Sequence, residues 1–470
     1  LKLQSARTVK VYPNPLRATK KRNSLKTHRL QAMALSFISQ YSCLLALLLT
    51  QPLSAEPLLR MLRAGAAANA FAERAKVAGG GMPTGSRVVV KLQRVAARAA
   101  GLGGLFPDAG FYVGSVAVGK PEPQVFSVLF DTASGHVVLP SAKCQNATCS
   151  ERRRYAPEAS GSAQPIHSDG TPALPSDKVK EILSIEFSQI DLGDGEARGG
   201  AVRDVVCLGG ASADGCAELG LVAAEQMDDV PFRAVPYDGM VGLGLDGLMF
   251  RSPLFSVLRS LTAGGEGLLP QFSLALRGPV GELSFGAPGP EASRGLPPQW
   301  FPVTRPEEGY WQVRIFAVHV DNRTIEACAS GCRGIIDTGA SRLGVPAALA
   351  PGLAAALGAS PATNGGCQGP DLHLDLGGML LTLKAQDYAG PGCGEAQFVP
   401  LALEPADFFA GVFVLGETVL RRYDTTFDWA GLRVGFSPAM PRTVRLGPPV
   451  PGAVASGGAH AGEMLNTFTV

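Results

Sequence analysis

Apolar residues in this chain occur in short runs, and Gly- and Pro-containing turns separate one run from the next. Residues 126–130, 272–276 and 311–316 are such runs, with apolar positions that are continuous or alternate. Runs of this length between turn residues predict β-strands. Helical spacing is confined to a few stretches, for example residues 254–261 and 346–357. The pattern therefore predicts a mostly β fold.

Length and composition are consistent with this prediction. The chain has 470 residues, enough for two lobes that each enclose a core. It contains 58 Gly and 36 Pro, and 17% of its residues are charged, which favours short strands and turns. We place an N-terminal lobe at 105–298 and a C-terminal lobe at 299–440. Residues 441–470, rich in Pro, Gly and Ala, are predicted to be a disordered tail without a lipid-anchor signal or membrane span.

The net charge of +2 conceals a strong asymmetry along the chain. Residues 1–103 contain 17 Lys and Arg but only 2 Asp and Glu, which leaves 25 basic and 38 acidic residues for the remainder. A nucleic-acid-binding protein would carry its basic excess on the folded domain, whereas this domain is acidic. We therefore predict that the chain does not bind nucleic acid.

The basic leader divides into three predicted segments. Residue 1 is Leu and the first methionine is Met33. The apolar stretch at 33–55 ends in small residues and is typical of a secretory signal peptide, which would make 1–32 upstream read-through or a longer targeting extension. Residues 56–104 are basic and predict a prosegment held partly by charge against the acidic body, although a flexible linker has the same composition.

The cysteine count supports export. Apart from Cys43 in the predicted signal peptide, eight cysteines remain, an even number that favours disulfides. Sequence alone leaves 105 pairings open, and the spacings do not form the paired units of a zinc site. Two glycosylation sequons, at Asn146 and Asn322, are consistent with exported surface loops.

One motif occurs twice and carries the candidate chemistry. Asp131 and Asp337 each follow an apolar β-run and precede a threonine, and each is followed by an apolar segment ending in proline. A single Asp-Thr dipeptide occurs often by chance. Two copies 206 positions apart, each in its own lobe-sized segment, indicate an internal repeat.

With these motifs the chain resembles the pepsin family of aspartic proteases from about Phe111 to Ala439. Segments 238–243, 308–312, 413–417 and 423–428 also resemble family stretches in the same order. The resemblance implies two related β-lobes with a polypeptide-binding cleft between them, in a monomer without metal or organic cofactor. It also places three disulfides at family positions, with the fourth pair as an addition. The expected pairs are Cys144–Cys149, Cys207–Cys216, Cys328–Cys332 and Cys367–Cys393.

The resemblance further implies a mechanism and a role for the loop residues. Two carboxyls held close together share a proton, so that one activates a water while the other donates to the scissile carbonyl. Thr132 and Thr338 would interlock the two loops, and Ser134 would hydrogen-bond Asp131. In the second loop the counterpart of Ser134 is Ala340, which lacks a hydroxyl. Gly339 lies between Thr338 and Ala340. We therefore expect a pH optimum less acidic than that of pepsin.

Several residues depart from the family pattern. Ala133 replaces a glycine but keeps its N–H, and His136 is interpreted as a loop or pocket residue. An ungapped alignment of the flap hairpin puts Leu192 where the family has tyrosine, with the turn at Gly193, Asp194 and Gly195; a gapped alignment puts Phe187 there. Neither supplies an aromatic hydroxyl.

These departures leave three hypotheses. The first is an active endopeptidase that cleaves between hydrophobic residues, in the secretory route, secreted or in a lysosome or vacuole. The second is a catalytically weakened relative that binds polypeptide or inhibits another enzyme. The third is a storage or wall-associated protein. The two intact Asp-Thr pairs favour the first.

Overall fold

A computed structural model describes the central part of the chain, and all of the described residues belong to one compact unit. The described residues are 86–97, 109–177, 181–210, 215–250, 252–263, 268–289, 292, 296–326, 328, 331–363, 365–402 and 409–439. The predicted signal peptide, the segment before it and the predicted tail lie outside these residues.

Strands dominate, which confirms the predicted mostly β class. Fourteen strands of the described part of the chain form one continuous sheet. In chain order they are β1 (Arg87–Ala96), β2 (Gly110–Val118), β3 (Gln124–Asp131), β4 (Val137–Pro140), β5 (Gln164–Ile166), β6 (Leu183–Gln189), β7 (Gly193–Leu208), β8 (Cys216–Met227), β9 (Gly239–Gly242), β10 (Gln271–Arg277), β11 (Val280–Gly286), β12 (Gln299–Pro302), β24 (Tyr423–Asp428) and β25 (Arg433–Pro438). Strands β24 and β25 come from the end of the second lobe and pair with β10 and β12, so this sheet joins the two lobes.

The second lobe adds three smaller sheets. They are built from β13 (Gln312–Ile315), β14 (Ala317–Val320), β15 (Arg323–Glu326), β16 (Cys332–Ile336), β17 (Leu343–Pro346), β18 (Ser360–Pro361), β19 (Cys367–Gln368), β20 (Leu372–Asp375), β21 (Leu380–Leu383), β22 (Phe398–Leu401) and β23 (Val412–Leu415). Their orders are β13-β16-β23-β17-β22, β15-β14-β20-β21 and β18-β19.

The two Asp motifs lie in the same arrangement of strands in both lobes. In the first lobe, β3 runs parallel to β9, β9 is antiparallel to β4, and β4 runs parallel to β8. In the second, β16 runs parallel to β23, β23 is antiparallel to β17, and β17 runs parallel to β22. The internal repeat seen in the sequence is therefore a repeat of four-strand topology around each aspartate.

Strand β1 lies inside the segment that the sequence analysis assigned to a prosegment. It pairs with β2 on one side and β11 on the other, in the interior of the large sheet. Alternate side chains explain the placement, because Val88, Val90 and Leu92 are buried while the residues between them are less so. At least this part of the basic leader is folded with the lobes.

Among the described residues, helices are few and short, as the sequence predicts. They are α1 (Ala147–Ser150), α2 (Val257–Ala263), α3 (Ala350–Ala356), α4 (Ala385–Tyr388) and α5 (Glu417–Leu420). Helices α2 and α3 overlap the two stretches with helical spacing. Within the described part of the chain, none of the helices has the length and apolar character needed to cross a membrane.

The four expected disulfides are present in the structure. They join Cys144 to Cys149, Cys207 to Cys216, Cys328 to Cys332 and Cys367 to Cys393. Both sequon asparagines are exposed, Asn322 in the turn between β14 and β15, but the Asn146 side chain is also hydrogen-bonded to the protein. Asn146 Nδ2 donates to Met227 O at 2.7 Å, and its Oδ1 accepts from Cys149 N at 3.1 Å.

Candidate active site

The repeated strand topology brings the two aspartates together. Asp131 is the last residue of β3, and Asp337 directly follows β16. Each is tied through its backbone to the neighbouring parallel strand, Asp131 O accepting from Leu243 N at 2.7 Å and Asp337 N donating to Leu415 O at 3.2 Å. Both side chains are buried, 8% exposed.

The two loops that carry the aspartates are interlocked by their threonines. Thr132 N donates to Thr338 Oγ1 at 3.0 Å, and Thr338 N donates to Thr132 Oγ1 at 3.1 Å. Each hydroxyl also donates across to the other lobe, Thr132 to Ile336 O at 2.8 Å and Thr338 to Phe130 O at 2.6 Å. The four bonds hold the loops in a nearly symmetric relation, as the resemblance implied.

A glycine at the end of the neighbouring parallel strand, β9 or β23, allows that strand to approach each aspartate loop closely. A Cβ on Gly242 would lie 2.4 Å from His136 N, and one on Gly416 would lie 2.3 Å from Arg342 O. Any larger residue at either position would push the neighbouring strand away from the loop that carries the aspartate.

The two carboxyls are hydrogen-bonding neighbours in a desolvated site. Burial raises the pKa of Asp131, while the Ala133 N–H and the Ser134 hydroxyl counteract this by stabilising its charged form. Burial and then the charge of Asp131 raise the pKa of Asp337 well above its ordinary range. Because two charges so close in a dry site are unfavourable, the pair is suited to hold one shared proton.

Backbone donors support each carboxylate. Ala133 N donates to Asp131 Oδ1 at 2.9 Å and Gly339 N to Asp337 Oδ1 at 2.7 Å, so the alanine that replaces a family glycine keeps this bond. The Ser134 hydroxyl also lies 3.1 Å from Met240 Sδ. Ala340 has no hydroxyl to offer in the second loop, and its carbonyl accepts from Glu417 N at 2.8 Å.

The flap hairpin is formed by β6 and β7, in a register that pairs Phe187 with Gly195 and Gln189 with Gly193. Phe187 is one of the residues lining the cavity beside the two aspartates. Its ring packs edge-on against that of Phe232, with 4.9 Å between the ring centroids. Leu192 is in the turn and packs on the first-lobe core instead. The turn is formed by residues 190–192, so the prediction that Gly193, Asp194 and Gly195 form it is wrong, because these three residues lie in β7. Of the two candidate positions, Phe187 rather than Leu192 lines the cavity.

The tip of this hairpin, residues 189–192, reaches the loop that follows Asp337. The Gln189 side-chain amide donates to Gly339 O, and Asp191 Oδ2 accepts from Ser341 N at 2.8 Å. Arg342 Nη1 lies 3.5 Å from Asp191 Oδ1. Ile190, between them in sequence, is only 4% exposed and belongs to an apolar cluster of mainly second-lobe residues.

With the tip in this position the cavity beside the aspartates measures about 70 Å³. Its walls are largely apolar, and both aspartates and several flap residues contribute. The first-lobe wall includes Leu129, Ile185, Phe187, Phe232, Tyr237 and Met240. Burial, and next the charge of Asp131, raise the pKa of Tyr237, so its hydroxyl stays protonated.

His136 lines the same cavity, which agrees with its interpretation from the sequence as a loop or pocket residue. Its Nε2 accepts a hydrogen bond from Phe250 N at 3.1 Å, and its ring lies 4.0 Å from the Phe250 ring. Burial lowers the pKa of His136 from 6.5 to about 3. A neutral imidazole that already accepts from the backbone is a structural group here.

The flap-tip residues Gln189 and Asp191 and their partner Arg342 were not among the residues predicted from the sequence. Their only signal was a polar pair around Ile190 in a hairpin turn. Among the described residues, no cluster of three or more His, Cys, Asp or Glu is arranged to hold a metal ion.

Comparison with known proteins extends over both lobes. The family model for eukaryotic aspartyl protease matches residues 111–439, which contain both aspartates and the flap. Cathepsin E of Oryctolagus cuniculus is 29% identical over 352 residues, covering 70% of this chain and 81% of that protein. Pepsin B of Canis lupus familiaris is 28% identical over 344 residues, with coverage of 70% and 81%. Pepsin A of Callithrix jacchus is 27% identical over 343 residues, with coverage of 70% and 80%.

Proposed function

Since this chain belongs to the eukaryotic aspartyl protease family, we propose that Asp131 and Asp337 together hydrolyse peptide bonds through a water molecule. The family makes the chain an aspartic-type endopeptidase. The observation that carries the proposed mechanism is the pair of buried carboxyls held by four cross-lobe threonine bonds.

In the proposed reaction, the charged carboxylate takes a proton from a water as it attacks the scissile carbonyl carbon. The protonated carboxyl donates to the carbonyl oxygen and stabilises the tetrahedral species. The carboxyl that took the proton from water then passes it to the leaving amine as the C–N bond breaks. The pair needs one proton, so activity falls when both carboxyls are ionised and again when both are protonated.

We propose a working range at acidic to mildly acidic pH, with an optimum less acidic than that of pepsin. Two features of the second loop support this. Ala340 supplies no hydroxyl to stabilise a charged Asp337, and burial raises the pKa of Asp337 well above its ordinary range. The shared proton is thereby retained to higher pH. A pH–rate profile peaking below about pH 3 would contradict this part of the proposal.

The proposed substrate is an extended polypeptide with apolar residues next to the scissile bond. The aromatic and aliphatic first-lobe wall favours such side chains, and backbone groups of the catalytic loops are suited to pair with an extended chain. The alternative, a weakened relative that binds or inhibits, rested partly on Ala133. Its N–H still donates to Asp131, which favours the active enzyme.

We further propose that the protein enters the secretory pathway and is secreted or resides in a lysosome or vacuole. The four disulfides support an oxidising compartment. The basic segment 56–104 is proposed as a prosegment. Its strand β1 is held by cross-strand pairs with β2 and β11, so removing it would require breaking these pairs.

The test is proteolysis of denatured haemoglobin or casein between pH 2 and 7 by acid-treated precursor. We expect cleavage that pepstatin, a statine-type inhibitor, abolishes and that the Asp131→Asn variant lacks. Absence of cleavage at every pH, by protein shown to be folded and freed of its prosegment, would reject the endopeptidase proposal and favour the binding alternative.

A further inference from the structure

The flap tip occupies backbone groups that an extended ligand would need. Gly339 O and Ser341 N belong to the segment that follows Asp337, two residues apart. An acceptor and a donor with this spacing form the edge to which an extended peptide adds as a strand. In the structure Gly339 O accepts from Gln189 and Ser341 N donates to Asp191.

The contact is buried and combines charge with apolar packing. The Asp191 side chain has no exposed surface and that of Arg342 is 7% exposed. The charges that act on Asp191 are therefore close and little screened: Arg342 attracts it, whereas Asp337 and Glu417 carry the same sign. Ile190 adds an apolar anchor, since it belongs to the buried apolar cluster that includes Tyr310, Ala340 and Val399.

We propose that Gln189 and Asp191 act as an internal substitute for substrate, which an incoming polypeptide must displace from the second catalytic loop. This inference rests on the proposed function and adds to it the residues that set substrate affinity. The remaining cavity of about 70 Å³ is far below the several hundred Å³ of a typical ligand site, so the tip and a bound peptide exclude each other.

Such competition has a defined kinetic signature. The substrate binds only the fraction of molecules in which the tip is undocked, so docking raises KM by a factor of one plus the ratio of docked to undocked molecules. Once substrate has displaced the tip, the same catalytic pair acts on it, and kcat is unaffected. A structural role in holding the second loop would instead lower kcat when the contact is removed.

The experiment compares the Asp191→Ala and Gln189→Ala variants with a matched control, Glu196→Ala. Glu196 is also a flap-hairpin carboxylate, but it pairs with Arg198 of its own strand. We expect KM for an apolar peptide substrate to fall by about 10-fold in D191A and about 3-fold in Q189A, with kcat unchanged, because Asp191 contributes both the bond to Ser341 N and the contact with Arg342, whereas Gln189 contributes one hydrogen bond. E196A should retain the wild-type KM. An unchanged or higher KM in folded D191A overturns the proposal; if D191A does not fold, Q189A decides in the same way.

A second measurement does not depend on catalysis. In the Asp131→Asn background, hydrogen exchange of a peptide containing Ser341 reports whether its N–H is held. Adding Asp191→Ala should accelerate exchange at Ser341, and adding Glu196→Ala should not. Equal protection in all three proteins overturns the docked tip. An inactive wild type that shows the expected exchange difference would reject the proposed hydrolase function while leaving the docking intact.

Discussion

His136 should make the folded protein sensitive to the acid in which the proposed enzyme works. Its ring is 2% exposed, packs against Phe250 and Phe255, and accepts a backbone hydrogen bond through Nε2. A protonated imidazole would lose that acceptor and carry a charge into an apolar setting. Burial accordingly lowers the pKa of His136 from 6.5 to about 3.

The size of the effect follows from proton linkage. Above pH 6.5 the imidazole is neutral in both the folded and the unfolded state. Between about 3 and 6.5 the unfolded state binds a proton that the folded state does not, so the free energy of unfolding falls as the pH falls. Each pH unit in that window removes about 1.4 kcal/mol, which gives a loss of about 5 kcal/mol by pH 3. Since domains are stable by about 5–15 kcal/mol, this loss is large.

The assay is urea unfolding at intervals between pH 7.5 and 3.5, with Asp131→Asn as the background to prevent self-digestion. His136→Asn keeps an oxygen that can accept from Phe250 N and does not titrate. We expect the curve of unfolding free energy against pH to be flatter in the variant by about 4 kcal/mol over this range. Parallel curves for the two proteins would refute the reasoning, whatever their vertical offset.

Three further predictions follow from contacts described above or from buried charge. Arg277 and Asp424 form a two-bond ion pair with side chains 8% and 3% exposed, so Arg277→Met should lower the free energy of unfolding by about 3–5 kcal/mol in urea; a loss under 1 kcal/mol would contradict the buried pair. Thr338→Val removes the two cross-lobe hydrogen bonds of the Thr338 hydroxyl, which accepts from Thr132 N and donates to Phe130 O, and should cost about 2–3 kcal/mol of stability and at least about 10-fold in kcat, whereas wild-type kinetics would argue against the interlock. Protein secreted from eukaryotic cells should carry a glycan at exposed Asn322 and none at Asn146, whose Nδ2 is engaged; peptide masses with the opposite pattern would contradict this.

Much of the fold could be predicted because its signals are local or repeated. The apolar runs at 126–130 and 272–276 lie within β3 and β10, and the run at 311–316 spans β13. The two aspartates could be predicted to meet because each sits in the same local pattern. The interlocking threonines followed from the resemblance to the pepsin family.

Other features depend on contacts between residues far apart in the chain, which local sequence patterns do not reveal. Strand β1 has the alternation of a strand, with Val88, Val90 and Leu92 buried, but its basic neighbours pointed to a separate leader. Leu192 and Phe187 were both candidates to line the cavity from the sequence, and only the position of the turn at 190–192 shows that Phe187 does so. Asp191 meets Ser341 across 150 positions, and no local pattern around either residue indicates the other.

The position of β1 has a consequence for how the chain folds as it is made. Lys91 of β1 pairs with Glu282 of β11 at 2.6 Å across 191 residues, so one edge of the first strand has no partner until β11 has been synthesised. At about 5–20 residues per second, that interval is roughly 10–40 s. Pairings of such high contact order form slowly, and an open strand edge can associate with other chains. The nascent chain is therefore expected to depend on chaperones until the second half of the large sheet has emerged.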